Sequence, residues 1–332
     1  MEKSLKEGFI NKNIIISGGL GFIGSNLSIR LVGLGANVTV IDNLIPEYGG
    51  NLWNVEPVKN KININIADVR DEKIMRRLIQ EQDYFFNLAG QTSHLDSMIN
   101  PFVDLEINAK AQLSILEECR KFNPAIKIIF ASTRQIYGRP QYLPVDEKHP
   151  LVPVDVNGIN KLAGEMYHVL YNKVYNLKTA VLRLTNTYGP RMRIKDARQT
   201  FLGIWIRNLL ENKPITIFGD GGQLRDYNYI DDVVDAFLLV AGSDVWNGSI
   251  FNLGNSNPIS LETTAKIMIE ENNAGSYVFT PFPEDLKKID IGDFYSDFSK
   301  IKTNLGWNPE VSINAGFGET IEYFRNNYEY YV

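Results

Sequence analysis

Short apolar runs alternate with amphipathic stretches along the first half of the chain. The runs are rich in Ile, Val and Phe and have the length of buried parallel strands. Between them, apolar residues recur three and four positions apart, as in helices that cover a sheet. The pattern predicts strands at 13–17, 37–42, 62–66, 83–88, 126–132 and 178–184, and helices at 22–34, 71–81, 101–122 and about 157–175.

This alternation predicts right-handed crossovers and a doubly wound parallel sheet, an α/β fold of the Rossmann type. From about residue 186 the alternation weakens, and glycine and proline interrupt it, as in Gly189-Pro190 and Pro281-Phe282-Pro283. We therefore expect a main domain over 1–185 and a smaller mixed α/β C-terminal lobe over 186–332. The two should interleave, with elements near 225–255 returning to the main sheet. The lobe would cover the carboxyl ends of the strands, where ligands bind.

A glycine-rich turn, Ser17-Gly18-Gly19-Leu20-Gly21-Phe22-Ile23-Gly24, joins the first strand to the first helix. Its glycines allow a tight turn, the approach of a pyrophosphate, and close packing of helix on strand. The second strand ends in Asp42, near the spacing at which a carboxylate accepts ribose hydroxyls and repels a 2′-phosphate. The sequence thus predicts an NAD site, with its first residues at Gly18, Leu20, Gly21, Phe22, Ile23, Gly24, Asp42 and Asn43.

The ends of the third and fourth strands extend this site. Asp68, in Asp68-Val69, could accept from the adenine amino group or cap the helix that starts near Asp71. Leu88-Ala89-Gly90 follows the fourth strand with small residues. Such residues suit a backbone that lies close to the cofactor ribose.

Composition narrows the function further. The chain has 332 residues, 44% of them hydrophobic, and a formal net charge of −5. That charge argues against nucleic acid as a partner, and no apolar stretch approaches the ~20 residues of a membrane span. The N-terminus lacks an apolar signal-peptide core, so we expect a cytoplasmic protein. The single cysteine, Cys119, is expected in a helix that faces the core, and no cluster has metal-ligand spacing.

Together with later motifs, the chain resembles the extended short-chain dehydrogenase/reductase family, specifically its nucleotide-sugar epimerases and dehydratases. The resemblance runs from about residue 12 to about 325. The later motifs are Ala131-Ser132-Thr133, Ile136-Tyr137-Gly138, Lys161, Leu224-Arg225-Asp226-Tyr227 and Phe251-Asn252-Leu253-Gly254. The resemblance implies a nucleotide diphosphate sugar as substrate. It also implies a homodimer paired through helices at about 101–122 and 157–175, with Tyr167, Tyr171 and Tyr175 either at the interface or packed on the sheet.

In that family a Ser/Thr, a Tyr and a Lys four residues after the Tyr form the catalytic group. The resemblance assigns Thr133 to the sugar oxygen that gains or loses a proton, and Lys161 to the nicotinamide ribose. The Tyr position, however, holds Asn157. An amide can position an oxygen, but it does not act as a general base near neutral pH.

Three interpretations of Asn157 stay open. His94, in the loop after the fourth strand, could move the proton, because histidine changes charge near neutral pH; Tyr188 is a weaker candidate. A water molecule or Lys161 itself could serve, with slower turnover. Alternatively, the chain could be a catalytically silent binder of nucleotide sugars.

The two residues after Thr133 are Arg134 and Gln135, whereas sugar 4,6-dehydratases of the family carry an Asp-Glu pair there. Elimination and decarboxylation are therefore disfavoured, which leaves epimerisation by oxidation of a sugar hydroxyl and return of the hydride. The layout resembles UDP-glucose 4-epimerases. The segments 87–91 and 102–108 also resemble CDP-tyvelose 2-epimerases, so C4 or C2 could react. A dehydrogenase or ketoreductase that exchanges NAD(H) with solution is the alternative enzyme.

The resemblance also places substrate contacts along the second half of the chain. Asn186 would bind phosphate or sugar, and Arg225 would clamp the diphosphate. Lys287 and Asp290 would reach the diphosphate and the nucleoside ribose, and a basic loop beginning at Arg191 would lie beside the sugar. The expected substrate set is Gln91, Thr133, Asn186, Arg191, Arg225, Lys287 and Asp290.

Overall fold

The structure, a computed structural model, describes residues 7–332. Its thirteen strands within these residues are β1 Asn13–Ser17, β2 Asn37–Asp42, β3 Ile62–Ile66, β4 Tyr84–Asn87, β5 Lys127–Thr133, β6 Lys178–Leu184, β7 Asn186–Tyr188, β8 Ile215–Phe218, β9 Leu224–Arg225, β10 Tyr227–Tyr229, β11 Ser249–Asn252, β12 Ile259–Ser260 and β13 Tyr277–Thr280. Seven of them form one sheet in the order β11-β6-β5-β4-β1-β2-β3. Every neighbouring pair in it is parallel. The predicted Rossmann-type sheet is thus confirmed.

The α-helices are α1 Phe22–Gly33, α2 Glu72–Ile79, α3 His94–Ile99, α4 Pro101–Leu105, α5 Ala111–Phe122, α6 Val156–Tyr175, α7 Phe201–Leu210, α8 Ile230–Ala241, α9 Leu261–Asn272, α10 Glu284–Lys288, α11 Ser299–Leu305 and α12 Ile313–Asn327. The helix predicted over 101–122 is a helical run in which a π-helical turn, Glu106–Lys110, separates α4 from α5. Such turns often lie at functional sites.

The sheet has a hydrophobic core on each face, because successive residues of a strand point to opposite sides. Ile14 and Ile16 of β1 belong to the core that includes α1 and α8. Ile15 belongs to the other core, which includes residues of α2, α5 and α6. Cys119 is fully buried in this second core, as expected, and burial raises the pKa of its thiol.

The three tyrosines of α6 that were expected either at an interface or packed on the sheet do not share one environment. Tyr171 is buried in the second core, and its hydroxyl donates to Glu117 over 2.7 Å. Tyr167 packs against the same core, whereas Tyr175 is exposed. Tyr167 and Tyr171 therefore pack within the protein, and only Tyr175 of the three is exposed.

After residue 186 the strands form three small sheets, which pair β7 with β10, β9 with β12, and β8 with β13. The exception is β11, which adds to the edge of the large sheet by pairing Ser249 with Ala180. The division into a main domain and an interleaved lobe stays a prediction. Within residues 7–332, no helix combines the length and the apolar character that crossing a bilayer requires.

Candidate active site

The glycine-rich turn at the end of β1 requires glycine at two positions. Gly18 has a φ of +66°, and a Cβ atom at Gly24 would lie 2.3 Å from the carbonyl oxygen of Gly18. Ser17 fixes the turn to β4, because its hydroxyl donates to Asn87 and accepts from the N–H of Ala89. This leaves the start of α1 open to a ligand, with its free N–H groups exposed to bind an anion.

A cavity of about 850 Å³, open to solvent, lies over this turn; we call it the glycine-turn cavity. It is lined by nearly all of the residues expected to hold NAD, namely Gly18, Gly21, Phe22, Ile23, Gly24, Asp42, Asn43, Asp68, Val69, Leu88, Ala89 and Gly90. Leu20, which was also expected to hold NAD, does not line this cavity. Its side chain is fully buried in the core, and its N–H donates to Asp42 Oδ2 over 3.1 Å. It therefore holds Asp42 rather than the ligand.

Asp42 ends β2 at the edge of this cavity. Burial raises the pKa of its carboxyl group, while hydrogen bonds from the N–H groups of Leu44 and Leu20 act in the opposite direction. Each carboxylate oxygen accepts one of these N–H groups and retains capacity for a second donor. The residue thus fits the ribose hydroxyls of a dinucleotide.

Asp68 does not cap α2, so that interpretation was wrong. The cap is Asp71, whose carboxylate accepts from the N–H groups of Lys73 and Ile74. Asp68 instead lines the glycine-turn cavity. The hydrogen bond from Arg70 lowers the pKa of Asp68 to about 2, so it is a carboxylate acceptor at neutral pH.

A second, larger cavity of about 1810 Å³ adjoins the first at the carboxyl ends of the strands; we call it the Thr133 cavity. Phe22, Ile23, Leu88 and Ala131 line both cavities, so the two are continuous. A ligand in one can therefore touch a ligand in the other. The expected site residues that line the Thr133 cavity are Gln91, His94, Thr133, Asn157, Lys161 and Asn186.

Thr133 ends β5 and caps the 3-10 turn Arg134–Tyr137. Its hydroxyl oxygen accepts from the N–H of Gln135 over 3.2 Å. In this contact the hydroxyl accepts, so its own proton remains available to donate. Thr133 can therefore hydrogen-bond a sugar oxygen.

Lys161, which was also expected to hold NAD, does not line the glycine-turn cavity; it is buried and lines the Thr133 cavity. Its ammonium group donates to the carbonyl oxygen of Ala131 over 3.2 Å. Burial lowers the pKa of Lys161 to about 8, against the opposing charge of Asp104. A Cβ atom at Gly90 would lie 2.7 Å from Nζ, so the cation packs directly against this glycine.

Asn157, at the position where the resemblance leads one to expect Tyr, is buried and held by its own side chain. Its amide nitrogen donates to the carbonyl oxygen of Gln91 over 2.8 Å and to Asp104 Oδ2 over 2.9 Å. Asp104 is fully buried and also accepts from the side-chain amides of Asn108 and Asn160. The position therefore belongs to a network of three amides around one carboxylate. Sequence reasoning missed Asp104, although its spacing of four from Asn108 on one helical run was visible.

His94 faces a carboxylate that sequence reasoning also missed. Nδ1 of His94 lies 3.0 Å from Oδ2 of Asp155, which caps α6 by accepting from the N–H of Gly158 over 2.6 Å. Burial by itself would raise the pKa of Asp155. The adjoining imidazole of His94, together with hydrogen bonds from the N–H of Gly158 and the side-chain amide of Gln135, brings the pKa of Asp155 below its ordinary value. Asp155 is therefore charged at neutral pH and can orient the imidazole and stabilise its protonated form. Its place directly before a predicted helix was the available signal.

Tyr188 was the weaker candidate for proton transfer, and the structure places it elsewhere. It is buried against Phe317, with ring centroids 4.5 Å apart. Burial raises the pKa of its hydroxyl far above neutrality. It lines a separate cavity together with residues 308–314, so it does not reach Thr133.

Four of the residues expected to bind substrate do not line the Thr133 cavity: Arg191, Arg225, Lys287 and Asp290. Arg225 is buried and donates to the carbonyl oxygens of Leu224 and Gly292, while Asp290 accepts from Gln223 over 2.8 Å. Lys287 is exposed on α10, where its neighbour Leu286 lines the cavity instead.

Arg191 is hydrogen-bonded to α1, the helix that follows the glycine-rich turn. It donates to the carbonyl oxygen of Asn54 over 3.1 Å and to Asn26 over 2.9 Å. Its guanidinium therefore holds a loop, and it lines another cavity with Tyr330 and Tyr331.

The carboxylates that line the Thr133 cavity are engaged with arginine. Asp96 and Asp196 both pair with Arg198, over 2.8 and 2.9 Å. Within residues 7–332, no group of three or more His, Cys, Asp or Glu side chains is arranged to hold a metal ion.

The chain is similar to known proteins over most of its length. The model of the NAD dependent epimerase/dehydratase family matches residues 14–254. A putative UDP-glucose 4-epimerase of Methanocaldococcus jannaschii is 33% identical over 95% of this chain and 99% of its own. A CDP-paratose 2-epimerase of Salmonella typhi is 30% identical over 91% of this chain and 96% of its own. The crystal structure of UDP-glucose 4-epimerase with UDP-glucose from Thermotoga maritima superposes with a TM-score of 0.87, at 32% identity, over 95% of this chain and 99% of that one.

Proposed function

The chain belongs to the NAD dependent epimerase/dehydratase family, and within it we propose an epimerase that oxidises a sugar hydroxyl, most favourably at C4, and reverses the configuration of that carbon. Its substrate would be a nucleotide diphosphate sugar. Bound NAD supplies the acceptor and donor of hydride. The residues of the glycine-turn cavity would hold that cofactor beside the Thr133 cavity, and Lys161 would hold its nicotinamide ribose.

The observation that carries this proposal is the set of groups that can move protons in the Thr133 cavity. Thr133 offers a hydroxyl, and His94 offers an imidazole backed by the charged Asp155. Arg134 and Gln135 stand where elimination would need two carboxylates, and Asp96 and Asp196 are paired with Arg198. The cavity is thus equipped to deprotonate and reprotonate one hydroxyl, and it lacks a free carboxylate for elimination.

We assign the proton transfer to His94. Thr133 would bond the sugar oxygen, His94 would accept its proton, and Asp155 would stabilise the imidazolium that results. Asn157 would act only as a positioning residue, because its amide nitrogen is committed to Gln91 and Asp104. The 30% identity to a CDP-paratose 2-epimerase keeps C2 as the second candidate carbon.

Proton NMR of the purified protein with UDP-, dTDP-, GDP- and CDP-sugars in deuterium oxide, without added NAD, tests this function. An epimer without deuterium in the sugar is expected, because hydride return involves no exchange with solvent. Deuterium beside the former carbonyl would indicate enolisation and contradict the proposal. Turnover only with added NAD would indicate a dehydrogenase or ketoreductase, and binding without any change would indicate a silent binder.

We further propose a homodimer in the cytoplasm. The outer face of α6 carries an apolar stripe at helical spacing, in which Leu170 is 49% and Val174 is 54% exposed. Met166 and, on the helical run before β5, Phe102 and Leu113 are also exposed. Exposed apolar residues grouped in this way are typical of a surface that is covered in an assembly.

A further inference from the structure

Arg134 is a cation in the Thr133 cavity that the proposed function does not yet use. It follows Thr133 directly, and its Nη2 donates to Asn186 Oδ1 over 3.0 Å. The guanidinium carbon lies 5.4 Å from the ring centroid of Phe294. The other terminal nitrogen, Nη1, is buried, and no atom within residues 7–332 accepts from it. A buried donor without an acceptor is costly, so a ligand oxygen would complete this arrangement.

The charge of Arg134 is poorly balanced by its surroundings. Burial and the nearby charge of Arg225 together lower the pKa of Arg134 to about 10, against the opposing effects of Asp226, Tyr227 and Asp290. Asp226 accepts from Thr185 and from the N–H of Ser296. Asp290 is held by Gln223 and pairs with Arg225 over 3.6 Å. None of these carboxylates forms an ion pair with Arg134, so the guanidinium retains capacity for an anion.

Arg225, which the family resemblance assigns to the diphosphate, differs from Arg134 in its hydrogen bonds and in its position relative to the cavity. Its donors are directed to Leu224, Gly292 and Gln223, and it does not line the Thr133 cavity. Of the two neighbouring guanidinium groups, Arg134 is therefore the one that lines the cavity and has a buried donor without an acceptor among the described residues.

We propose that Arg134 binds an oxyanion of the substrate through Nη1, while Asn186 fixes the guanidinium by accepting from Nη2. The inference rests on the proposed nucleotide-sugar substrate. Two groups of such a substrate share this chemistry, a phosphoryl oxygen of the diphosphate and a carboxylate on the sugar. Arginine suits both, because its planar fork of donors matches their oxygens.

Calorimetric titration of the purified protein with its bound cofactor distinguishes the two sources. The ligands are UDP, dTDP, GDP and CDP, to find the preferred base, and then the matching diphospho-glucose and diphospho-glucuronate. The variants are Arg134→Gln, which keeps a donor but removes the charge, and Arg134→Lys, which keeps the charge but removes the fork. Arg77→Gln, at an exposed residue of α2, is the matched control. Circular dichroism establishes that each variant is folded.

If the diphosphate is the oxyanion, Arg134→Gln weakens all ligands by about ten- to a hundredfold, including the nucleoside diphosphate alone. If a sugar carboxylate is the oxyanion, only the glucuronate loses that affinity. In either case the affinity of Arg134→Lys for the affected ligands should lie between that of wild type and that of Arg134→Gln. Wild-type affinity of Arg134→Gln for every ligand would overturn the inference and leave the proposed function intact. Failure of the wild-type protein to bind any of these ligands would instead contradict the proposed substrate class.

Discussion

The side-chain amide of Asn157 donates to the buried carboxylate of Asp104 across 2.9 Å, so this residue is part of a buried polar network. Asp104 has no exposed surface, and its other contacts are the amides of Asn108 and Asn160. A phenol at 157 would offer one donor where the amide now serves both Asp104 and Gln91. The structure around residue 157 therefore fits an amide.

We predict that Asn157→Tyr lowers both stability and activity. The larger ring must enter a buried position, and one of two acceptors loses its donor, which together cost about 2–4 kcal/mol. Urea unfolding gives the change in free energy, and NMR gives the rate of epimerisation. Asn304→Tyr, at an exposed position of α11, should change neither. A gain in activity would mean that Asn157 is only a defect in an otherwise ordinary site.

His94→Ala should abolish most of the epimerisation while substrate binding persists. General acid–base catalysis contributes about 10²–10⁴-fold, so a loss of that size in kcat is expected with little change in affinity. Asp155→Asn should cause a smaller loss, because the amide no longer stabilises a charged imidazole. Met98→Ala, exposed on the same helix as His94, serves as the control. An unchanged kcat in His94→Ala would remove the histidine from the proton pathway.

Lys161 should leave a signature in the pH dependence of stability. In the folded protein its pKa is lowered to about 8 by burial, whereas in the unfolded chain it keeps the ordinary value of about 10.4. The unfolded chain thus binds more protons between these values, so this group makes the protein more stable as pH rises from about 8 to 10.

Lys161→Met removes that effect. Without bound cofactor, its stability relative to wild type should be highest near pH 7 and decline by up to about 3 kcal/mol by pH 10.5. Urea unfolding of both proteins across this range measures the difference. Lys73→Met, at an exposed lysine of α2, should show a flat difference. A flat difference for Lys161→Met as well would mean that the ammonium is not desolvated.

Val174→Glu should convert the proposed dimer to a monomer. The substitution places a charge in the apolar stripe of α6, where pairing would bury it without a partner. Light scattering after size exclusion reports the mass, and the equivalent change at the exposed Val278 of β13 is the control. A wild-type protein that is already monomeric at micromolar concentration would contradict the interface.

Much of the fold was predictable because its signals are local. Strands β1, β4 and β5 contain continuous apolar runs, as buried parallel strands require on both faces. Gly18 and Gly24 are needed by the backbone of one turn, so the NAD cleft could be recognised from a few consecutive residues. That Asn157 and Lys161 share a helix, one turn apart, was also predictable, whereas the replacement of a tyrosine by Asn157 stays a prediction.

The contacts that decide the chemistry were not predictable, because they join residues far apart in sequence. Asn157 meets Asp104 across 53 positions, and His94 meets Asp155 only when α3 packs beside the start of α6. The sequence by itself determined the sheet and the glycine turn. Tertiary packing alone decided that Arg225 is directed to backbone carbonyls and Arg134 to the cavity, since side-chain direction depends on which neighbours satisfy each donor.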